Sequence, residues 1–487
     1  MEVKMEEFVG AIDQGTTGTR FMVFNRDGEI IEQAYEEHEQ IYPHPGWVEH
    51  NATEIIDKTK RVMRRCCRGL NKKFDRWNLV AIGITNQRET TIAWNKRTGK
   101  PVYNAIVWQD TRTKDICEKL PGELFHEKTG LVVNTYFSAT KIKWMLDNIK
   151  DLRDVLFGNI DSWLIWNLTK EHVTDYTNAS RTMLMNINSL DWDEELLELL
   201  GIDEDKLPEI KSSSEVYGYT ELDGVDVPVS SSLGDQQAAL FGQTCYGVGN
   251  AKNTFGTGNF ILMNTGKEPI FSDSGLLTTV AYGIAGKKVN YALEGSIAIT
   301  GAGVQWLRDN LKIIRRADET EEMGKEGSGG VYFVPAFSGL FAPYWDMNAR
   351  GVIVGLTRYI KREHIVRAVL ESEAFQSRDV IDVMEKDSGI EMKEVKVDGG
   401  AVKNNLLMQL VADITGKKVI RPKINETTAL GAAYAAGLAL DFWCSLDELK
   451  KKWKMDLAFE PEIDKGARDE LYGWWRKAVE RARNWLE

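Results

Sequence analysis

The chain opens on three apolar runs separated by turn residues: FVGAI (8–12), RFMVFN (20–25) and the partly alternating EIIEQAYEEHEQ (29–40). Runs of this length, with RDG breaking the second from the third, read as an antiparallel strand meander. A helical stretch covers 52–70, and another apolar strand, LVAIGITNQRE, follows at 79–89. Three strands, a helix and a strand in that order predict an α/β layer design rather than a sandwich.

The pattern restarts at NAKNTFGTGNFILMNTG (250–266), again strand, Gly/Thr turn and strand. TTVAYGI (278–284) and VNYALEGS (289–296) follow before a helix. Two halves that begin alike predict a duplicated α/β unit, with an N-terminal lobe over 1–247 and a C-terminal lobe over 248–487. Each lobe offers one Gly/Thr turn, and the two turns are expected to face each other across a cleft. In DGGAVKNNLLMQLVADITG (398–416), Leu407, Leu410, Val411 and Ile414 form one helix face. Asn404 and Asn405 lie at the cap and Gly416 at the stop. TGAGVQWLRDN (300–310) repeats this glycine-to-helix logic, and TTALGAAYAAGLA (427–439) is a helix of small residues fit for close packing. EEMGKEGSGG (321–330) reads as a flexible loop. The final amphipathic helix carries Leu471, Trp475, Ala478, Ala482 and Trp485 as its core-facing stripe.

Composition narrows the classes. A chain of 487 residues is too long for one core. The formal net charge of −12 argues against a protein built to grip nucleic acid or an anionic membrane. The longest notable uncharged stretch, 427–440, is too short and too rich in Ala and Gly to span a bilayer. The opening MEVKMEEFVG is acidic where a secretory leader would be basic, so a cytoplasmic location is expected. Five cysteines without a CxxC spacing indicate neither a zinc site nor a disulfide framework. His38, His44 and His50 lack an accompanying carboxylate pattern and read as a solvated strand-and-loop segment.

The candidate chemistry lies in the glycine-rich turns. GxxxxGK[ST], GxGxxG and the kinase HRD and DFG sequences are all absent. What remains is DQGTTGTR (13–20) in one lobe, FGTG (255–258) in the other, and DGG (398–400) before a helix. Backbone N–H groups and threonine hydroxyls of two facing turns can hold a polyphosphate from both sides. Asp13 ends its strand where it could hold Mg²⁺ through water, since that ion keeps part of its hydration shell.

Together these elements resemble the actin, hexokinase and heat-shock-chaperone ATPase superfamily, two ribonuclease-H-like lobes closing on ATP. Within it the chain resembles the FGGY carbohydrate kinases, in particular their glycerol-phosphorylating branch, the glycerol kinases. AIDQGTTGTR, TNQRETT, VWQDTRT, YFSATKIKWMLDN, GDQQAALFGQ, AKNTFGTGNF, GAGVQWLRD, GVIVGLTRYIKREHIVRAVLE and VDGGAVKNNLLMQ carry the likeness, over 11 to about 410. The resemblance implies ATP and Mg²⁺ as cofactors and glycerol as acceptor; no nucleic-acid partner, no membrane insertion and a homo-oligomer, a dimer, are expected.

It also implies residue roles. Arg88, Glu89, Tyr136, Asp235 and Gln236 match glycerol-binding positions, with Trp108 and Phe260 as an aromatic wall. Thr16, Thr17, Gly18 and Arg20 in the first turn and Thr257 in the second match ATP-binding positions. Gly301, Gln305, Gly400 and Asn404 lie toward the base and ribose. Asp235 is the expected general base and, with Asp13, the expected metal ligand. Read without the resemblance, Arg88 and Glu89 also fit an exposed ion pair, Asp235 a plain helix cap and Arg20 a solvated strand residue. The stretch TELDGVDVPVSSSLGDQQ (220–237) departs from the bacterial pattern: Asp226 stands where an arginine for fructose 1,6-bisphosphate would lie, and Asp223 adds negative charge. Weak or no inhibition by that bisphosphate is expected. Rival readings are a kinase for xylulose, gluconate or erythritol, a non-catalytic ATP switch, and a nicotinamide oxidoreductase lacking its fingerprint.

Overall fold

The computed structural model describes residues 5–150 and 152–486; the start of the acidic leader comparison, residues 1–4, lies outside them. The first sheet comprises β1 (Glu6–Gln14), β2 (Gly18–Phe24), β3 (Ile30–Glu37), β4 (Trp77–Asn86), β5 (Ser214–Leu222) and β6 (Val225–Gly234). Its order is β5-β6-β4-β1-β2-β3. The β1–β2–β3 meander is antiparallel, whereas β1, β4 and β6 run parallel. Helix α1 (Ala52–Lys73) starts where Asn51 accepts from the backbone N–H of Thr53 and Glu54. It lays Ile55, Thr59, Val62, Cys66 and Leu70 against the sheet as one buried stripe. Helix α2 (Asp235–Gly242) continues directly from β6.

The second sheet repeats the plan with β7 (Ala251–Phe255), β8 (Asn259–Gly266), β9 (Leu277–Tyr282), β10 (Asn290–Ile297), β11 (Glu394–Gly399), β12 (Lys418–Pro422) and β13 (Met455–Phe459). Its order is β9-β10-β8-β7-β11-β12-β13. Here β7, β8 and β10 are antiparallel, and β7, β11 and β12 run parallel. Strands β1, β2, β3, β4 and β6 therefore correspond to β7, β8, β10, β11 and β12. Helices α3 (Gly301–Asp309), α4 (Arg362–Ser388), α5 (Asn405–Thr415), α6 (Thr427–Ala439) and α7 (Lys465–Ala482) complete this half.

Helix α6 joins the halves. It lies against the first sheet, where Ser214, Ser230 and Ser231 donate their hydroxyls to the carbonyls of Ala435, Ala436 and Ala432. It also crosses α2. A Cβ on Gly242 would lie 2.0 Å from the Thr427 carbonyl oxygen, and one on Gly431 would lie 1.9 Å from that of Ala238. Only the missing side chains let these backbones meet, and this explains the small-residue composition of the helix.

Two sequence expectations need correction. Residues 321–330 are not wholly loop: Glu319–Met323 is helical and Gly324–Glu326 forms a 3₁₀ turn, with Thr320 buried and Gly324 beside Leu370 and Leu406. In α7 the buried face is Trp475, Ala478, Val479 and Ala482. Leu471 is exposed, and Trp485 lies beyond the helix end, also exposed. Trp475 anchors the helix by stacking on Phe375 and donating its Nε1–H to Asp379 Oδ2 at 2.9 Å. Truncating such a side chain typically costs about 3–5 kcal/mol. No helix among the described residues is long and apolar enough to cross a membrane.

Candidate active site

Parallel strands end together. Gln14, Asn86 and Gly234 are in register at the carboxyl ends of β1, β4 and β6. Residues 13–20, 87–91 and 235–237 therefore leave one edge of the first sheet. Phe255 and Gly399 align likewise at the ends of β7 and β11. The carboxyl ends of parallel strands are where open α/β sheets take their ligands.

Arg88 and Glu89 are buried, not an exposed ion pair. The Arg88 guanidinium grips Glu294 of the second half with two bonds, Nη1 to Oε2 at 2.5 Å and Nη2 to Oε1 at 2.8 Å. Its Nη1 also donates to Gln237 Oε1 at 3.2 Å, and its Nε lies 3.4 Å from Asp235 Oδ1. Arg181 donates through Nε to Glu89 Oε1 at 2.8 Å and approaches Glu294 at 3.3 Å. Two guanidinium groups thus balance two carboxylates without bulk water, the condition for keeping such charges inside. Burial alone would raise the Glu294 carboxyl, but Arg181 and Arg88 outweigh it and hold the group at about 2. Burial likewise opposes the Arg88 charge, and Glu294 and Glu89 overcome it. Glu89, by contrast, is pushed up by burial. Its backbone sits at φ 59°, a left-handed conformation costing non-glycine residues on the order of 1–3 kcal/mol. The hydroxyls of Thr91 and Ser138 fix it by donating to its carbonyl at 2.9 and 3.2 Å.

Around this cluster Trp108 and Tyr136 meet edge to face at 5.4 Å, and Phe260 lies under Arg88 with the guanidinium 5.9 Å from its ring. The loop carrying Tyr136 is tied down by buried Lys141, whose Nζ donates to the carbonyls of Thr135, Tyr136 and Phe137. Asp235 is the first residue of α2, and its side chain keeps 33% exposure, so part of it stays accessible. Burial raises its pKa, while Arg88 and Lys252 oppose the rise. Gln236 accepts from Lys252 Nζ, which also donates to Thr254 Oγ1 and the Phe260 carbonyl.

In the first turn Gly15 N–H donates to the Gly18 carbonyl at 3.0 Å, and Trp108 Nε1–H donates to Thr16 Oγ1 at 3.0 Å. Thr17 is exposed. Arg20 is not a solvated strand residue; it pairs with Glu426 from the second half. Asp13 is half-buried, and burial raises its carboxyl to about 7, with Glu426 and Asp235 adding to the rise against Arg20. The histidine expectation holds for His44, which is exposed, and fails for the other two. His38 and His50 are buried, their rings edge-on at 4.5 Å, because the segment after β3 folds beneath this turn instead of into solvent.

In the second turn Thr257 is exposed, and its carbonyl accepts from the N–H of Thr300 and Ala302 at the start of α3. Gly301 is the first residue of that helix, and Gln305 is exposed one turn on. Gly400 is exposed after β11, separated from α5 by a 3₁₀ turn over Gly400–Lys403. Asn404 caps α5 by accepting from Leu407 N–H at 2.9 Å, and its amide donates to Thr320. Among the described residues no hydrogen bond joins Thr16 or Thr17 to Thr257. Lys252, which bonds Gln236 of the first half, reaches Thr254, three residues before Thr257.

Glu294, Arg181, Lys252, Lys141 and Gln237 belong to the site although the sequence expectations passed over them. A signal existed for two of them. Glu294 and Lys252 are each the one charged residue of their strand, and a buried lone charge demands a partner.

Two family models match the chain: the N-terminal domain of the FGGY family of carbohydrate kinases over residues 8–242, and its C-terminal domain over 251–440. This chain belongs to the FGGY carbohydrate kinase family. The family's two-domain, actin-like ATPase fold accounts for the duplicated sheets. The chain is 57% identical to a glycerol kinase of Caldanaerobacter subterraneus subsp. tengcongensis, over 99% of its length and 100% of the relative's. It is 56% identical to glycerol kinase 2 of Thermotoga maritima, over 98% and 99%. Its fold superposes on the crystal structure of Plasmodium falciparum glycerol kinase with ADP at a TM-score of 0.94 and 41% identity, covering 99% of both chains. A xylulose kinase from Lactobacillus acidophilus shares the fold at a TM-score of 0.87 and 23% identity.

Proposed function

We propose that this chain transfers the γ-phosphoryl group of ATP to a terminal hydroxyl of glycerol, releasing sn-glycerol 3-phosphate and ADP as the first step of glycerol catabolism. The observation that carries the reading is the gathering of Arg88, Glu89, Asp235 and Gln236 into one charge-balanced cluster at the strand ends. Arg88 and Glu89 offer fixed donors and acceptors of opposite sign to neighbouring hydroxyls, bonds strengthened by charge. Tyr136 adds its phenol and Gln236 its amide, while Trp108 and Phe260 cover the carbon edge. Asp235 takes the proton of the attacking hydroxyl; its raised pKa suits it to hold that proton transiently. Thr16, Thr17, Gly18, Arg20 and Thr257 hold the phosphates, and Gly301, Gln305, Gly400 and Asn404 flank the ribose and base.

Mg²⁺ fits beside Asp13 and Asp235. Burial raises the Asp13 carboxyl, and the Glu426 and Asp235 charges add to the rise, a repulsion that a dication would relieve. No group of three His, Cys, Asp or Glu side chains among the described residues could hold a metal by itself. When bound, Mg²⁺ would neutralise charge on the phosphate oxygens. We further propose a lobe boundary at 247/248, a cytoplasmic homodimer, no nucleic-acid partner and no membrane insertion. Asp223 and Asp226 are exposed at the β5–β6 hairpin tip with Glu221 beside them, a surface that repels a bisphosphate. Millimolar fructose 1,6-bisphosphate should therefore inhibit weakly or not at all, and clear inhibition overturns that expectation.

Coupled measurement of ADP release tests the activity. Release should depend strictly on glycerol and exceed that with xylulose, gluconate or erythritol; glycerol-independent release, or preference for another polyol, refutes the reading. Asp235→Asn should lower kcat by about 10²–10⁴-fold with nucleotide binding preserved. More than about one-tenth of the normal rate in that variant removes Asp235 from the role of base.

A further inference from the structure

A chain of hydrogen bonds leaves Trp108, passes beneath the first turn and returns to Trp108. The Trp108 backbone N–H donates to Thr90 Oγ1 at 3.2 Å, and that hydroxyl donates to Gln87 Oε1 at 3.0 Å. Gln87 Nε2 lies 3.3 Å from His50 Nδ1, and His50 Nε2 lies 2.9 Å from Gln40 Oε1. Gln40 Nε2 then donates to the Thr16 carbonyl at 2.9 Å, and Thr16 Oγ1 accepts from Trp108 Nε1 at 3.0 Å. Gln87 Nε2 also reaches the Gly15 carbonyl and Gln14 Oε1, both at 3.2 Å.

The sense of this ring is fixed by its ends. Reversing the Gln40 amide would set its oxygen against the Thr16 carbonyl, and reversing Gln87 would set oxygen against oxygen at Gly15 and Gln14. Consequently His50 donates through Nε2 and accepts through Nδ1, which only a neutral imidazole can do. Burial, with His38 adding to it, keeps the ring neutral.

We infer that His50 is a positioning residue that locks the phosphate-side turn to the acceptor-side wall, through the two arms Gln40–Thr16 and Gln87–Thr90–Trp108. The inference rests on the proposed kinase reading, because only there do Thr16 and Trp108 face two parts of one reaction. A merely structural histidine would affect stability alone, whereas this one sets both binding surfaces. His172 provides that comparison. It is an imidazole packed against Trp94 and Trp166 where His50 packs against His38; it hydrogen-bonds the Phe157 carbonyl, and it makes no bond to the ring.

The test is steady-state kinetics of full-length His50→Leu, Gln40→Leu, the double variant and His172→Leu, alongside calorimetric MgADP binding and thermal melting. His50→Leu should raise KM for MgATP and for glycerol about tenfold each, roughly one hydrogen bond's worth, with kcat within about threefold. Gln40→Leu should raise KM for MgATP similarly, and the double variant should be no worse than His50→Leu, because a broken ring cannot be broken twice. His172→Leu should melt lower with both KM values unchanged. Should His50→Leu not fold, His50→Gln and Gln40→Leu carry the same comparison. Both KM values and MgADP affinity within twofold of wild type, or additive effects in the double variant, overturn the inference. Absence of glycerol-dependent turnover in the wild type would instead defeat the acceptor assignment, and MgADP binding would still decide the phosphate-side arm.

Discussion

The two Gly/Thr turns come from duplicated hairpins yet are braced by partly different means. Both close on backbone at their last glycine: a Cβ on Gly18 would lie 2.6 Å from the Glu36 carbonyl oxygen, and one on Gly258 2.2 Å from that of Ile297. Both are looser at the first glycine, Gly15 or Gly256, where a Cβ would come no nearer than 3.7 or 3.3 Å. The first turn is held further by side chains beneath it, the Gln40, His50, Gln87 and Thr90 series. The second is held further by the start of α3, where a Cβ on Gly301 would lie 2.4 Å from the Gly256 carbonyl oxygen. Neither polar layer is complete: both ring nitrogens of His38 beside the first turn, and Asn253 Oδ1, Asn259 Nδ2 and both Glu373 carboxylate oxygens near the second, are buried without hydrogen-bond partners among the described residues. Duplication preserved the hairpin and its strand order but not the way the loop is held, so the same substitution should act differently in the two copies.

Glu294 is the largest lever on this contrast, because it reaches from the strand beside the second turn to Arg88 next to the first. Glu294→Gln leaves two buried guanidinium groups short of a counter-charge, and denaturant unfolding should show a loss of about 3–5 kcal/mol. A loss below about 1 kcal/mol would mean that water already reaches the pair. The glycine comparison comes next. Gly301→Ala, at the helix start that presses on the second turn, should cost about 1–3 kcal/mol and raise KM for MgATP more than about tenfold, whereas Gly15→Ala should change either quantity little. Equal effects would erase the distinction between the turns.

The smallest effect is a gain. Burial raises the Glu373 carboxyl to about 8. A carboxyl raised on folding contributes fully below its unfolded value near 4.5, and the contribution is lost as pH rises through about 8. Glu373→Met should therefore raise the melting temperature by a few degrees at pH 8.5 and by less at pH 5. A gain independent of pH would show that packing, not ionisation, is responsible.

Much of this was legible in the sequence because strand runs and glycine turns obey local rules. The meander, the restart at 250, the cap at Asn404 and the stop at Gly416 all follow from neighbours within a few residues. The charged cluster was not legible as a cluster, since Arg88, Arg181 and Glu294 meet only through folding across distant parts of the chain. His38 and His50 were misread for the same reason: a polar segment looks solvated until a second polar layer is found beneath it. The end of α7 failed differently. Helical periodicity continues through Trp485, but the helix stops at Ala482, and periodicity alone does not say where a helix ceases to touch the core.

The crossing of α2 and α6 has a mechanical consequence. With main chain pressed against main chain at Gly242 and Gly431, neither helix can slide along the other without driving carbonyl oxygens into its neighbour. Translation of one half past the other is blocked there, and swivelling about that point is the motion left open. In a swivel each atom travels in proportion to its distance from the axle, so the outermost residues of the crevice sweep the widest arc while the crossing itself stands still.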